Sequence, residues 1–274
     1  MKKRAASRIK SVALRNSDAS SDIGGGEVRI IPLALPDDIR PGDSLGDKLF
    51  QVLRQKRLSF IVGDILIVKH KIVSKAEGRL VELATVEPSR AARKWAQRYK
   101  LDARVIELAF RESRAVIRQK NGVLITETHH GLICANSGVD VSNVDGGRHA
   151  LLLPKNPDQS AGKLHREIRK RTGLKIPVLI TDSFGRPWRE GLVDFCIGMA
   201  GMKAVRDDRG QRDPRGYKLH ASVEAVADEL ACAAALVCGK LNRTPACIVR
   251  GFPYVSGRSS VRGLLRPAAD DLFR

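Results

Sequence analysis

Aromatic residues are scarce in this sequence of 274 residues, at 4% of the total. Proteins that bind single-stranded nucleic acid stack bases on Phe, Tyr or Trp, so this scarcity argues against such a platform. Long apolar runs are also lacking, because the longest, Leu230 to Cys238, is far too short to span a bilayer. No apolar segment follows the basic start of the chain, so the sequence predicts neither a secretory signal nor a membrane protein.

Cysteine pairs and several common catalytic motifs are absent as well. The five cysteines form no C-x-x-C pair, which argues against a structural zinc site. Their odd number, among small or apolar neighbours, predicts reduced thiols in a cytoplasmic protein. Gly24, Gly25 and Gly26 are not followed by Lys-Ser or Lys-Thr, so there is no Walker A motif. The kinase motif set and the G-x-S-x-G motif of hydrolases are missing too.

Positive charge is in excess, with 49 Lys and Arg against 30 Asp and Glu and a formal net charge of +19. This balance predicts polyanionic partners: nucleic acid, an anionic surface, or phosphorylated and carboxylated small molecules. Residues 1–15 carry six basic residues and no acid, and 17–26 are mostly Ser, Asp and Gly. We therefore predict a flexible basic tail over 1–27 and a folded unit over 28–274, built as one domain or two subdomains.

Hydrophobic periodicity and turn residues predict a mixture of helices and strands. The predicted helices cover 43–57, 88–99, 102–112, 158–171 and 227–238. The predicted strands cover 28–33, 61–68, 114–118, 123–128, 132–135, 176–180, 218–226 and 246–249, and residues 192–199 form a further apolar run. Because helices and strands do not alternate strictly, the fold class is α+β, or irregular α/β, with mixed sheets and packed helices.

The most informative stretch is 176–191, I-P-V-L-I-T-D-S-F-G-R-P-W-R-E-G. It predicts a buried strand that ends at Asp182 and Ser183, where a strand gives way to a loop. A carboxylate and a hydroxyl are hard oxygen ligands that suit Mg²⁺ or Mn²⁺. Arg186 and Arg189, and Arg206 further along the chain, could grip phosphate or carboxylate oxygens of a substrate. The plainer interpretation is a turn or helix cap.

Other polar residues carry the same two interpretations. Lys75, after the predicted strand 61–68, either reaches a nucleotide phosphate or is a solvated turn lysine. His70 either packs in the core or lies near a nucleotide. Asp140 and Asn143 either bind metal and phosphate or form an Asx-turn. The basic residues of 163–171 form either a solvated helix face or an RNA-facing patch.

Six motifs in fixed order resemble one family, the coenzyme F-420:L-glutamate ligases, from about Val28 to at least Gly251. The motifs are V-S-K-A-E-G (73–78), N-S-G-V-D-V-S-N-V (136–144), L-L-L-P (151–154), I-T-D-S-F-G-R-P-W-R-E-G (180–191), V-A-D-E-L-A (226–231) and I-V-R-G (248–251). Each motif alone is weak, whereas the ordered set is highly specific.

The resemblance implies a set of site residues. Asp140 and Asp182 would bind a divalent metal, and Ser183, where Thr is usual, would bind a second one. Lys240 falls where some members have an acidic metal ligand, and an ammonium cannot bind a cation. The implied GTP contacts are Ile31, Pro32, Leu33, Ala34, His70, Lys75, Asn143, Cys238, Gly239, Lys240, Leu241, Asn242, Arg243 and Thr244.

The resemblance also implies the activity and the assembly. It implies a GTP-dependent ligase that joins L-glutamate to the carboxylate of a phosphorylated deazaflavin coenzyme precursor through an acyl phosphate. Two Mg²⁺ or Mn²⁺ ions are expected per site, with K⁺ as an optional further ion, in an intertwined homodimer in the cytoplasm. The alternatives are a related carboxylate–amine ligase that acts on another phosphorylated cofactor, and an RNA-binding protein that uses the basic tail and helix. The low aromatic content counts against the second.

Overall fold

The structure is a computed structural model, and it describes residues 26–35, 37–142, 144–258 and 260–273. The predicted tail therefore lies almost wholly outside the described residues. The described part of the chain has the α+β fold that the sequence predicted. Its α-helices are α1 (Leu45–Gln55), α2 (His70–Ala76), α3 (Arg90–Tyr99), α4 (Ala103–Arg111), α5 (Pro157–Thr172) and α6 (Val226–Cys238). None of these helices has the length and apolar character that a membrane crossing requires.

The strands of the described residues form one large sheet and three small ones. They are β1 (Arg29–Leu33), β2 (Ile65–Lys69), β3 (Leu80–Glu82), β4 (Ser113–Lys120), β5 (Val123–Thr128), β6 (Ile133–Ala135), β7 (His149–Leu151), β8 (Val178–Arg186), β9 (Arg189–Ala200), β10 (Arg206–Asp207), β11 (Val223–Glu224) and β12 (Ala246–Arg250). The large sheet has the order β1-β12-β2-β8-β9, and the small sheets pair β3 with β7, β10 with β11, and β4-β5-β6.

The large sheet contains a single parallel pair, formed by β2 and β8, and its other neighbours are antiparallel. In this pair Lys69 lies opposite Thr181, so the parallel pairing ends at the carboxyl end of β2, and β8 runs on beyond that edge to Arg186. Ligands in α/β sheets bind in the crevice beyond the carboxyl ends of parallel strands. The topology thus indicates where a site should be sought.

Helices cover both faces of the large sheet, which explains why its central strands are apolar throughout. Leu66, Val68 and Ile248 pack on one face with the apolar sides of α1 and α5. Ile65, Ile67, Leu179 and Val249 pack on the other face with α6. The side chains of successive β2 residues therefore pack alternately into the cores on the two faces of the sheet, as the two-residue repeat of a strand requires. A third core joins α3, α4 and the smaller sheets.

Most helix predictions are confirmed within two residues of each end, and their caps explain why. Ser44, Ser89 and Asp102 precede α1, α3 and α4, and each side chain accepts a backbone N–H of the first turn. Gly173 ends α5 in the left-handed conformation.

Three predicted boundaries and the predicted placement of Lys75 are wrong. Residues 61–64 form a turn, because Asp64 accepts the backbone N–H of Ile61, so β2 begins later than predicted. Lys75 lies on helix α2 and does not follow a strand end. Strand β8 continues through Asp182 and Ser183 to Arg186, since β9 supplies hydrogen-bond partners along its whole length. The predicted strand 218–226 shrinks to β11.

Candidate functional site

A cavity of about 540 Å³ opens at the carboxyl end of β2, beside residues 181–183 of β8. It lies between the start of α2, the end of α6 with its following loop, and the segment after β1. Its wall consists of Leu35, Asp37, Asp38, Ile39, Lys69, His70, Lys71, Ile72, Lys75, Asp140, Ser142, Thr181, Asp182, Ser183, Leu192, Gly239, Lys240, Leu241, Arg243, Thr244 and Pro245. Five of these residues are basic and four are acidic, so the cavity suits an anion together with a cation.

Strand β8 brings Asp182 and Ser183 to the cavity wall. Asp182 Oδ1 accepts the backbone N–H of Ser183 at 2.8 Å and lies 3.2 Å from Nε2 of buried His70. These two atoms are close, yet they lack the alignment of a hydrogen bond, and His70 Nε2 has no hydrogen-bond partner among the described residues. Burial, and next the charge of Asp182, raise the pKa of the Cys134 thiol to about 12.

Asp140 reaches the cavity from the loop before β7, which an isolated bridge to Leu151 holds in place. Its Oδ1 accepts the backbone N–H of Ser142 at 2.6 Å, and its Oδ2 lies 2.7 Å from the Lys71 ammonium. Burial alone would raise the pKa of Asp140, but the hydrogen bonds from Lys71 and Ser142 outweigh it, so the pKa lies below the usual value. Asp140 is therefore a carboxylate at neutral pH.

Lys69 and Asp194 are functional candidates that the sequence reasoning missed. Lys69 ends β2 and pairs with Asp194 of β9, a residue that is only 3% exposed. Asp194 also accepts the hydroxyls of Thr181 and Ser183, at 3.2 and 2.7 Å. A single acid inside the apolar run L-V-D-F-C-I was the available signal.

The structure brings most of the sequence-predicted site residues to one cavity. Those that line it are Asp140, Asp182, Ser183, His70, Lys75, Gly239, Lys240, Leu241, Arg243 and Thr244. Those that do not line it are Ile31, Pro32, Leu33, Ala34, Cys238 and Asn242. Asn143 lies outside the described residues.

The predicted GTP-binding segment 31–34 belongs mainly to β1, which pairs with β12 at one edge of the large sheet. The residues just after it, 35 and 37–39, line the cavity. A backbone hydrogen bond of 3.2 Å from Leu35 to Arg243 ties this segment to the loop after α6. Both segments therefore border the cavity together.

The three arginines proposed as substrate grips lie outside the cavity wall. Arg186 donates to the carbonyls of Gly191 and Glu190 within the β8–β9 hairpin. Arg206 pairs with Asp208 and Glu224, near the β10–β11 ladder.

The oxygen donors at the cavity fit a hard divalent cation that is shared with a ligand. Among the described residues, no three His, Cys, Asp or Glu converge into a protein cage. Mg²⁺ keeps several waters and is held by one or two carboxylates plus substrate phosphates, so such a cage is not required. Within the described part of the chain, Asp182 Oδ2 accepts no hydrogen bond, and Asp140 keeps free lone pairs on both oxygens.

The comparisons with known proteins give one consistent family. Residues 35–251 match the family model described as F420-0:Gamma-glutamyl ligase. A protein of Methanopyrus kandleri named coenzyme F420:L-glutamate ligase is 39% identical over 252 residues, 90% of this chain and 98% of the relative. Proteins of the same name from Methanothermobacter thermautotrophicus and Archaeoglobus fulgidus are 41% and 38% identical. The alignments cover 85% and 90% of this chain, and 93% and 96% of those relatives. The chain belongs to the F420-0:gamma-glutamyl ligase family.

Proposed function

We propose that this protein is a GTP-dependent ligase that forms an amide between the carboxylate of a phosphorylated deazaflavin coenzyme precursor and L-glutamate, and so adds one or more γ-linked glutamates. Family membership supports glutamate ligation in coenzyme F420 biosynthesis. The single observation that carries the nucleotide assignment is the cavity wall, where Asp140, Asp182 and Ser183 face one space with five basic side chains.

The basic residues of the wall would hold the triphosphate. Lys69, Lys71 and Lys75 come from the end of β2 and from α2, while Lys240 and Arg243 come from the loop after α6. An ammonium or guanidinium beside phosphate oxygens forms short, charge-assisted hydrogen bonds. Cations on two sides of the cavity would keep the γ-phosphoryl group in one place, and positioning supplies much of the catalysis in phosphoryl transfer.

Asp140 and Asp182 would hold one Mg²⁺ or Mn²⁺ and Ser183 a second, with K⁺ as an optional further ion. When bound, such ions neutralise the charge that develops on the phosphoryl oxygens. Lys240 faces the same cavity and brings a fixed positive charge of its own.

The reaction divides into two balanced steps. A carboxylate oxygen of the deazaflavin precursor attacks the γ-phosphorus of GTP, the bond to the β–γ bridging oxygen breaks, and GDP leaves. The α-amine of L-glutamate then attacks the acyl carbon of the acyl phosphate. Inorganic phosphate leaves, the amine loses a proton, and an amide remains. Activation by phosphate is needed because a free carboxylate is unreactive towards amines.

Mass spectrometry of the products tests the proposal. Purified protein is incubated with the deazaflavin precursor, L-glutamate, GTP and Mn²⁺, with Asp182→Ala as a parallel sample. We expect species extended by glutamate, together with GDP, and a loss of about 10²-fold or more in rate for the variant. Absence of any extended species from wild-type protein that still binds Mn²⁺ and GTP would instead favour a carboxylate–amine ligase that acts on another phosphorylated cofactor.

A further inference from the structure

A buried carboxylate lies directly behind the cavity wall. Asp194 is 3% exposed and does not itself line the cavity. Its Oδ1 accepts the Ser183 hydroxyl at 2.7 Å, and its Oδ2 accepts the Thr181 hydroxyl at 3.2 Å and a proton of the Lys69 ammonium. All three donors belong to the wall, so one carboxylate fixes three groups that face the ligand.

Stability alone does not explain a charge at this position. Moving a carboxylate out of water costs several kcal/mol, and even a well-paired buried ion pair often contributes no more than apolar residues of the same volume. The neighbours of Asp194 along β9 are apolar: Val193 on one side, and Phe195 and Cys196 on the other. What Asp194 supplies that an apolar residue cannot is the direction of three hydrogen bonds.

The direction matters most at Ser183, because a hydroxyl has one proton and two lone pairs. The proton points at Asp194, so only lone pairs are left for a partner in the cavity. Lone pairs are what a cation requires. A neutral amide at position 194 could donate to the same oxygen, and Ser183 would then turn its proton towards the cavity and repel a cation.

Lys69 is fixed by the same carboxylate. Its side chain is 18% exposed and stands at the end of β2, opposite Thr181 in the register. An ammonium carries three protons. Asp194 takes one of them, and the others remain for phosphate oxygens at the edge of the cavity.

We propose that Asp194 is a positioning residue of the nucleotide site, which makes Ser183 a cation-binding acceptor and holds Lys69 against the triphosphate. The inference rests on the proposed function, because it requires GTP and a divalent cation to occupy this cavity.

The test measures Mn²⁺ binding directly, without turnover. Free Mn²⁺ is followed by electron paramagnetic resonance at a saturating concentration of a non-hydrolysable GTP analogue. Asp194→Asn preserves the volume and removes the charge, and we expect its Kd for Mn²⁺ to rise about tenfold or more, as for other residues that orient metal ligands. Asp194→Glu, which restores the carboxylate, should recover most of this loss. Ser183→Ala/Asp194→Asn should bind Mn²⁺ about as well as Ser183→Ala alone, because Asp194 acts on Mn²⁺ through Ser183.

Asp64→Asn is the matched control. Asp64, in the turn before β2, is also a fully buried carboxylate; it pairs with Arg250 at 2.8 Å, and it does not line the cavity. This variant should melt at a lower temperature than wild type and keep its Kd for Mn²⁺.

Two results would overturn the inference. One is a folded Asp194→Asn protein that binds Mn²⁺ as wild type does, and the other is full additivity of the Asp194 and Ser183 effects. Wild-type protein without saturable Mn²⁺ binding would remove the proposed function, and the inference with it. If Asp194→Asn does not fold, the double variant Lys69→Gln/Asp194→Asn, which removes both charges of the ion pair, is measured in its place. Adding Ser183→Ala to that pair should change the Kd less than about threefold, and a larger loss contradicts the inference.

Discussion

At the scale of single residues, two lysines of the cavity wall are each paired with a carboxylate. Lys71 holds Asp140, Lys69 holds Asp194, and both pairs sit where a cation and a triphosphate are proposed to bind. Such pairing offsets the cost of taking both charges out of water, which an unpaired buried charge would carry in full. The wall is thus charged in advance of any ligand.

The Lys71–Asp140 pair predicts a pH-dependent stability difference. In the folded protein the pKa of Asp140 is lowered. Its stabilisation is therefore present above the unfolded pKa of about 3.9 and is lost as the pH falls through the folded value. Lys71→Met should lower the free energy of unfolding by about 1 kcal/mol at pH 7. The part of this loss that comes from the pair should disappear once the pH falls below the lowered pKa of Asp140 in the folded protein.

Urea denaturation of both proteins at several pH values measures this difference, and carboxylate carbon NMR of Asp140 should show its pKa rising in the variant. Lys48→Met is the control, since Lys48 lies 3.9 and 3.8 Å from Asp37 and Asp43 and does not contact Asp140. An unchanged Asp140 pKa in Lys71→Met would contradict the prediction.

At the scale of elements, the close approach of α5 to β9 depends on a residue without a side chain. A Cβ at Gly198 of β9 would lie 2.4 Å from the backbone carbon of Pro157, the first residue of α5. Asp158 fastens the same helix turn by accepting the backbone N–H of Met199 at 2.8 Å and of Val261 at 3.1 Å. The helix can therefore neither rotate nor withdraw freely.

Gly198→Ala should accordingly destabilise the protein by about 1–3 kcal/mol, because overpacking against backbone forces the helix to move. Gly185→Ala is the control: it lies in β8, where a Cβ would meet only Leu192 at 4.0 Å, and it should change stability by less than about 0.5 kcal/mol. Thermal unfolding of the two variants against wild type measures both effects. Equal melting temperatures for the two variants would contradict the prediction, because they would show that α5 can move away from Gly198 without loss of stability.

The sequence predicted those elements whose causes are local. Helices α1, α3 and α4 have side-chain caps, whereas α2 is short, follows β2 directly and has no side-chain cap at Lys69, so nothing in the sequence marked it. Strand β8 runs through polar residues because β9 pairs with them, and such a cause is tertiary. Asp140 and Asp182 were candidate metal ligands from their residue types and positions, and the resemblance of motifs then favoured that interpretation over a turn. The role of Asp194 depends on a cross-strand partner, which no spacing reveals.

At the scale of the whole molecule, the resemblance predicts a homodimer. Large apolar side chains are exposed, among them Trp188 at 84% and Leu192 at 56%, both in the β8–β9 hairpin. Burying exposed apolar surface is the main driving force of association. Light scattering should give a mass about twice the 30.0 kDa of the chain. A mass of one chain at all protein concentrations would contradict the prediction.

The net charge of +19 is also compatible with RNA binding, which competes with the proposed ligase function. RNA and GTP with Mn²⁺ would stabilise the folded state differently, because only binding at a specific site saturates at a low ligand concentration. At about 100 times its Kd, GTP with Mn²⁺ adds about 2.7 kcal/mol, which for a chain of this size corresponds to about 5–10 °C in Tm.

RNA held by surface charge should raise the Tm only at low salt, and the effect should fade by about 0.3 M because released counterions then favour the free state. We therefore expect a thermal shift with GTP and Mn²⁺ that survives 0.3 M salt and is lost in Asp182→Ala. Lys163→Ala, on the exposed basic side of α5, serves as the control that should leave this shift unchanged. A shift with RNA alone, and none with nucleotide and metal, would reverse the assignment, because it would leave the cavity without a ligand and the positive charge with one.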